Sequence, residues 1–304
     1  MSARILVIKL GALGDFVQAF GPFAAIRAHH PGAHVTLLTT PPFAELARRS
    51  PWFDRVWDHG RPRGLDLGRR LALLRDLRAG RFDRVYDLQT SPRSSRYRLL
   101  VGLGAEWSGV ALGASHPHAN PGRNAMHTVD RQREQLRMAG IGAFPAPELS
   151  WLEDDLAGFD LPARFALLIP GASPARPGKR WPGFPDLAAA LSAVGLPSVV
   201  VGGKGEGPLA AAMPAALDLT GRTSLFQLAA IARRAAVVVG NDTGPTHLSA
   251  ATGSPTLALF GSESDPARCA PRGRSVLVLR REPIAALAPA EVAEAARRMA
   301  GLHA

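Results

Sequence analysis

The 304-residue chain is expected to be an α/β protein of two Rossmann-like, doubly wound domains facing a central cleft. Three observations predict this. Short apolar runs alternate with helical patterns in both halves, as a parallel sheet covered by helices on both faces requires. Glycine-rich loops follow several of the apolar runs, where such sheets bind their ligands. Proline and glycine cluster from Phe144 to Pro162, which divides a domain of residues 1–155 from one of residues 156–304.

In the first half, Ile5 to Leu10 reads as a strand and Phe16 to His29 as a helix. Val35 to Thr39 is the next strand. A helix covers 65–79, and Val85 to Leu88 is a later strand. The Pro/Gly-rich stretch from His116 to Asn124 reads as loop. In the second half, Phe165 to Ile169 is a strand that feeds the loop Pro170 to Pro182. Leu187 to Val194 is a helix. Ser198 to Val201 is a strand ending in Gly202-Gly203-Lys204-Gly205-Glu206-Gly207. Leu225 to Arg233 is a helix. Three valines from Val237 then open a buried parallel strand, which Gly240-Asn241-Asp242-Thr243-Gly244 breaks. Pro245 suits the first position of a helix running from Thr246 to about Ala251, and Gly253 ends it. Thr256 to Phe260 is a further strand. A closing helix, Pro289 to Leu302, is expected to pack back on the first domain.

Length allows two separate cores. A hydrophobic content of 46% and a mean hydropathy of +0.02 describe an ordinary water-soluble chain. No apolar run reaches the roughly 18 residues of a spanning helix. Arg4 leads straight into a strand, so no signal peptide is expected. One cysteine, Cys269, excludes an internal disulfide and a cysteine metal cluster. The expected location is the cytoplasm.

The net charge of +11 is unevenly placed. Residues 60–98 carry eleven arginines against four acids. Leu67, Leu71, Leu74 and Leu77 fall on one helical face there, with Arg69, Arg70, Arg75 and Arg78 around it. Such a stretch is either a solvated helix face or a surface for an anionic membrane, a phosphorylated acceptor or nucleic acid. The run Arg93 to Arg98 follows a strand end, where ligands bind. The chain has 33 arginines and three lysines. Lys9, Lys179 and Lys204 all lie in or beside glycine- or proline-rich loops, where a compact ammonium serves a phosphate.

Four loops carry the chemistry. Lys9-Leu10-Gly11-Ala12-Leu13-Gly14-Asp15 joins the first strand to its helix. It is not the dinucleotide fingerprint, and the second strand lacks the terminal acid that would hold a ribose, so a nicotinamide enzyme is disfavoured. Asp15 either caps the helix or acts as a general base. The loop Pro170 to Pro182 holds Ser173, Lys179, Arg180 and Trp181, and Lys179 suits a diphosphate. Glu206 suits the two hydroxyls of a ribose, or is a solvated turn residue. Asp242, Thr243, Gly244 and His247 surround a helix start whose N–H groups favour an anion; the plainer reading makes Asp242 or Thr243 a cap. There is no Asp-x-Asp triplet. His116 and His118 have no acidic neighbour in the sequence, so no metal site is expected. A Walker loop and a G-x-S-x-G elbow are also missing.

The segments K-L-G-A-L-G-D at 9–15, G-K-R-W-P at 178–182, G-G-K-G-E at 202–206 and G-N-D-T-G-P-T-H at 240–247 together resemble the family 9 glycosyltransferases. That family includes the ADP-heptose:lipopolysaccharide heptosyltransferases. The resemblance runs from about residue 4 to 265 in matching order. It implies a GT-B fold and inverting, metal-independent transfer of a heptose from ADP-heptose to a lipopolysaccharide inner-core acceptor, with no cofactor. It implies Asp15 as the general base. Ser173, Lys179, Trp181, Glu206, Asp242, Thr243, Gly244 and His247 would bind the donor. Gly14, Arg61, Arg63, Arg93, Arg96 and Arg123 are the candidates for an anionic, lipid-linked glycan acceptor. Peripheral contact with the anionic inner membrane at its cytoplasmic face, and no nucleic-acid partner, complete the expectation. Ser173 is followed by Pro174 where some relatives carry two adjacent hydroxyl residues, which leaves open another nucleotide sugar or a protein or glycan acceptor. A non-enzymatic polyanion binder rests on the charge alone.

Overall fold

The structure, a computed structural model, describes residues 2–62, 64 and 66–302. Two compact units divide the chain at Trp151 and Leu152. In the first, six parallel strands are ordered β3-β2-β1-β4-β5-β6. They are β1 (Arg4–Ile8), β2 (His34–Leu38), β3 (Arg55–Trp57), β4 (Arg84–Asp87), β5 (Glu106–Gly109) and β6 (His116–Pro117). The second unit has six parallel strands ordered β12-β11-β10-β7-β8-β9. These are β7 (Ala166–Ile169), β8 (Ser198–Val200), β9 (Leu217–Asp218), β10 (Val237–Asn241), β11 (Thr256–Phe260) and β12 (Val276–Arg280). The central strands of both sheets are buried runs of Val, Leu and Ile, as a sheet covered on both faces demands.

Each sheet is doubly wound, so each has a point where strand order reverses. It lies between β1 and β4 in the first unit, and between β7 and β10 in the second. Loops leaving the carboxyl ends of these strands diverge and open a crevice. The first unit places 9–15 and 88–91 there, and the second places 170–182 and 242–243.

Two departures from the sequence reading have plain causes. The helix expected over Phe16 to His29 is two helices, Leu13–Val17 and Phe20–His29. Pro22 forbids one continuous helix, because its ring would meet the carbonyl of Gln18. The helix Leu67–Ala79 does not gather its leucines on one face. Leu73 and Leu77 are buried, while Leu67 and Leu71 are exposed. The closing helix, Pro289–Met299, contributes to the core of the second unit. Its Val292, Ala293 and Ala296 join Leu187, Leu191 and Leu257 there. Small alanines let it approach the sheet closely. Among the described residues no helix is long and apolar enough to cross a membrane.

Candidate active site

The reversal point of the second unit is closed by Asn241, fully buried at the end of β10. Its amide donates to the carbonyls of Pro170 (2.8 Å) and Gly171 (3.2 Å), and its oxygen accepts from the Trp181 N–H (3.1 Å). One side chain therefore ties both ends of the 170–182 loop to β10. Gly240 must be glycine: a Cβ there would lie 2.3 Å from the Thr246 hydroxyl. That contact brings the first turn of helix Gly244–Ala251 onto the strand, where Thr246 donates to the Asn241 carbonyl (2.7 Å).

Among the described residues no side chain caps this helix. Thr243 occupies the cap position, yet its hydroxyl faces the Asn241 carbonyl and the Thr246 hydroxyl. Asp242 is also otherwise engaged. Its Oδ2 meets Lys179 Nζ at 2.5 Å, and its Oδ1 meets His247 Nε2 at 3.2 Å. Burial pushes the Asp242 carboxyl up, but the hydrogen bonds from His247 and Lys179 outweigh it and bring it down to about 2. The reading of Asp242 or Thr243 as a simple cap is thereby excluded. The start of the helix is left without a side-chain cap, beside a lysine held in place by a carboxylate.

Lys179 ends a short 3₁₀ turn, Pro177–Lys179. Glu263 anchors that turn by accepting from the Gly178 N–H (2.9 Å). Glu206 is half-buried rather than waving in solvent. Its Oε2 accepts from the Gly203 N–H (2.7 Å). A Cβ on Gly171 would lie 1.8 Å from Glu206 Oε1, and one on Gly202 would lie 2.5 Å from Oε2. The two glycines make room for the carboxylate between the loops after β7 and β8.

In the first unit Asp15 is exposed in the first turn of helix Leu13–Val17, at the carboxyl edge of the sheet. Phe43 covers Gly11, whose φ of +110° suits glycine, and Phe16 stacks on Phe43 at 5.3 Å. These contacts fix the loop that carries Asp15 and half-buried Gly14. Lys9 lies beneath it, buried, donating to the Leu88 carbonyl (3.2 Å). Burial lowers the Lys9 ammonium; Asp15 and Asp87 oppose that, and Arg131 adds to it. Asp87 is fully buried at the end of β4. Its Oδ1 accepts from the N–H groups of Gln89 and Thr90 (3.1 and 3.0 Å). Its Oδ2 is buried without a hydrogen bond among the described residues. Burial raises this carboxyl to about 6, against the pull of those N–H groups and Lys9.

Residues 70–291 match the model of glycosyltransferase family 9 (heptosyltransferase). The chain belongs to this family. It is a glycosyltransferase with the GT-B arrangement of two doubly wound units. It is 24% identical to lipopolysaccharide heptosyltransferase 2 of Escherichia coli K12, over 86% of this chain and 83% of that one. The structure of a family 9 glycosyltransferase from Veillonella parvula superposes with a TM-score of 0.82 at 20% identity, covering 99% of this chain and 98% of that one. The E. coli heptosyltransferase WaaC with ADP-2-deoxy-2-fluoro heptose gives 0.76 at 21% identity, covering 97% and 99%.

Within this glycosyltransferase the predicted donor residues divide. Lys179, Asp242, Thr243, Gly244 and His247 converge on one helix start, and Glu206 sits at the neighbouring loop junction. Ser173 is exposed on the same loop as Lys179. Trp181 is 3% exposed; its indole N–H donates to the Leu287 carbonyl (3.0 Å), and it packs on Phe184. It is a pillar of the core that holds the Lys179 loop and offers no surface to a ligand.

The acceptor candidates are more scattered. Arg61, Arg93 and Arg96 are exposed, and Arg63 lies outside the described residues. Arg123 is half-buried, with Nε donating to His118 Nδ1 (3.3 Å). Its Nη2 is buried without a hydrogen bond among the described residues. His118 faces Glu134 at 2.8 Å, so the fold supplies the acidic partner that the local sequence lacks. His116 likewise lies 3.6 Å from Glu106. Among the described residues no group of three or more His, Cys, Asp and Glu side chains is placed to hold a metal ion. Sequence reasoning missed Asn241, Glu263 and Asp87 as site-forming residues. Asp87 left one trace, an acid that directly follows the apolar pair Val85-Tyr86 at the end of a strand.

Proposed function

We propose that this chain is an inverting, metal-independent transferase that moves a heptose from ADP-heptose to a lipopolysaccharide inner-core acceptor. The observation that carries the reading is the uncapped helix start beside Lys179, at the strand-order reversal of the second unit. What a related heptosyltransferase binds supports the nucleotide sugar. One relative's structure holds ADP-2-deoxy-2-fluoro heptose.

The second unit takes the donor. Lys179 and the N–H groups of the helix start meet the diphosphate, Glu206 takes the ribose hydroxyls, and His247 and Asp242 line the sugar end. Asp242 repels a diphosphate by itself, so its part is to hold Lys179 and His247 in place and to accept from sugar hydroxyls. The first unit takes the acceptor. Asp15 removes the proton of the acceptor hydroxyl as its oxygen bonds to the anomeric carbon on the face opposite the diphosphate. The bond from that carbon to the diphosphate oxygen breaks, and ADP departs with its new charge met by Lys179. Arg123, with Arg61, Arg93 and Arg96, serves the anionic acceptor. The enzyme works at the cytoplasmic face of an anionic inner membrane, since that acceptor is lipid-linked.

Ser173-Pro174 keeps a second reading in play, the same chemistry with another nucleotide sugar or another glycan or protein acceptor. Calorimetric titration with ADP-heptose, UDP-sugars and NAD in EDTA separates the readings. Selective ADP-heptose binding is expected. Binding of a UDP-sugar in its place would retain the transfer chemistry and refute the heptosyl donor.

A further inference from the structure

Among the described residues eight large apolar side chains are exposed, and five of them are leucines of three neighbouring segments. Leu67 and Leu71 lie on helix Leu67–Ala79. Leu99 lies on helix Arg98–Val101, with Leu103 just beyond it. Leu112 sits in the turn between β5 and β6. Their exposures run from 63% to 98%. The segments touch: helix Leu67–Ala79 packs on helix Arg98–Val101, and the Arg98 guanidinium donates to the carbonyls of Leu112 and Gly113. Single exposed leucines need no explanation, but five together on one side of a unit do.

The helix shows how the face is made. Leu73 and Leu77 already anchor it to the core. Leu67 and Leu71, one turn apart, form a second stripe about 120° round the axis, beside Arg75 and Arg78. Arg93 and Arg96 are exposed on the helix immediately before Leu99. Leu67 opens the helix that follows β3, and Leu112 follows β5. Leu67 therefore stands at the carboxyl edge of the sheet, the edge that carries Asp15.

We propose that Leu67, Leu71, Leu99, Leu103 and Leu112, with the arginines around them, form the surface by which this protein seats on an anionic lipid bilayer. Apolar side chains that enter the acyl boundary and arginines that meet anionic headgroups are the two components such seating needs. A second copy of the same face is a poor occupant, because a two-fold pairing would press arginine against arginine. Nucleic acid is also a poor occupant: the exposed apolar groups are aliphatic, and bases stack on aromatic rings. This deepens the reading above, in which the acceptor is lipid-linked, and brings the bilayer to the edge that carries the proposed base.

The test is cosedimentation of the full chain with phosphatidylglycerol-rich vesicles and with neutral phosphatidylcholine vesicles. Wild type should bind the first and not the second. The triple variant Leu71→Ser, Leu99→Ser, Leu112→Ser should bind about tenfold or more weakly. Arg75→Glu with Arg78→Glu should weaken binding and remove its dependence on salt. Both variants should keep wild-type melting and ADP affinity. Equal binding to neutral vesicles overturns the proposal, as does unchanged binding by the leucine variant. So does a change from dimer to monomer on gel filtration without a change in vesicle binding. Vesicle binding without ADP-heptose binding would remove the heptosyl reading and leave the surface standing. Donor binding without vesicle binding would do the reverse.

Discussion

Replacing Asp87 with asparagine should change the stability of the first unit in a way that depends on pH and on little else. Asp87 is fully buried, and burial raises its carboxyl from 3.8 to about 6. The unfolded chain ionises it more readily than the folded one. Ionisation therefore costs the folded state, and the cost grows as pH rises through the window from 3.8 to about 6. Linkage puts it at about 3 kcal/mol at pH 8 and about half that at pH 5. Asparagine keeps an oxygen for the N–H groups of Gln89 and Thr90 and cannot ionise. Its constant effects on packing cancel when the two pH values are compared. Titrating groups that do not interact with Asp87 cancel when variant and wild type are compared. What remains is a shift of about 1 kcal/mol in favour of the variant between pH 5 and pH 8. Urea unfolding followed by tryptophan fluorescence measures it, since Trp52, Trp57, Trp107 and Trp151 all lie in the first unit. A shift below about 0.5 kcal/mol would refute the reasoning, because it would mean that Asp87 is hydrated or paired well enough to titrate normally.

Three further outcomes test the site. Lys179→Ala should weaken donor binding by about 30- to 100-fold in calorimetry, with Lys179→Arg recovering part of it, because a charge-assisted contact to phosphate is lost. The same variant strands the Asp242 carboxylate, so its melting temperature should fall more at neutral pH than in acid. Asp15→Asn should lower turnover by about 10²- to 10⁴-fold while leaving donor affinity within about twofold, as read by single-turnover kinetics and calorimetry. Asn241→Ala removes three hydrogen bonds at a buried position, and urea unfolding should show a loss of about 3 kcal/mol together with a raised KM for the donor.

What was legible in the sequence follows from the range of the forces involved. The strands and their loops were readable because β-runs of Val, Leu and Ile and the glycines after them act locally. The convergence of Lys179, Asp242 and His247 was readable in kind, because a lysine, an acid and a helix start at two strand ends imply one anion site. The burial of Trp181 was not readable, for the opposite reason. Its position in a charged, proline-rich loop suggests exposure, while Phe184 and Leu287, three and 106 residues away, bury it. Asn241 looked like loop polarity, although its amide is what joins that loop to β10.

Asp87 and the leucines of helix Leu67–Ala79 extend the same argument to charge and to surface. An acid at a strand end is ordinarily solvated, and no local pattern tells that this one is sealed under Lys9 and the 88–91 loop. Leucine at every third or fourth position of a basic helix reads as one amphipathic face. With leucines at 67, 71, 73, 74 and 77, the helix has two faces, and only the packing against β4 and β5 decides which is core. Burial of Leu73 and Leu77 leaves Leu67 and Leu71 outside, next to three leucines from other segments. A face made from three separate pieces of chain has no periodicity of its own. It becomes visible only when the sheet order has brought those pieces together.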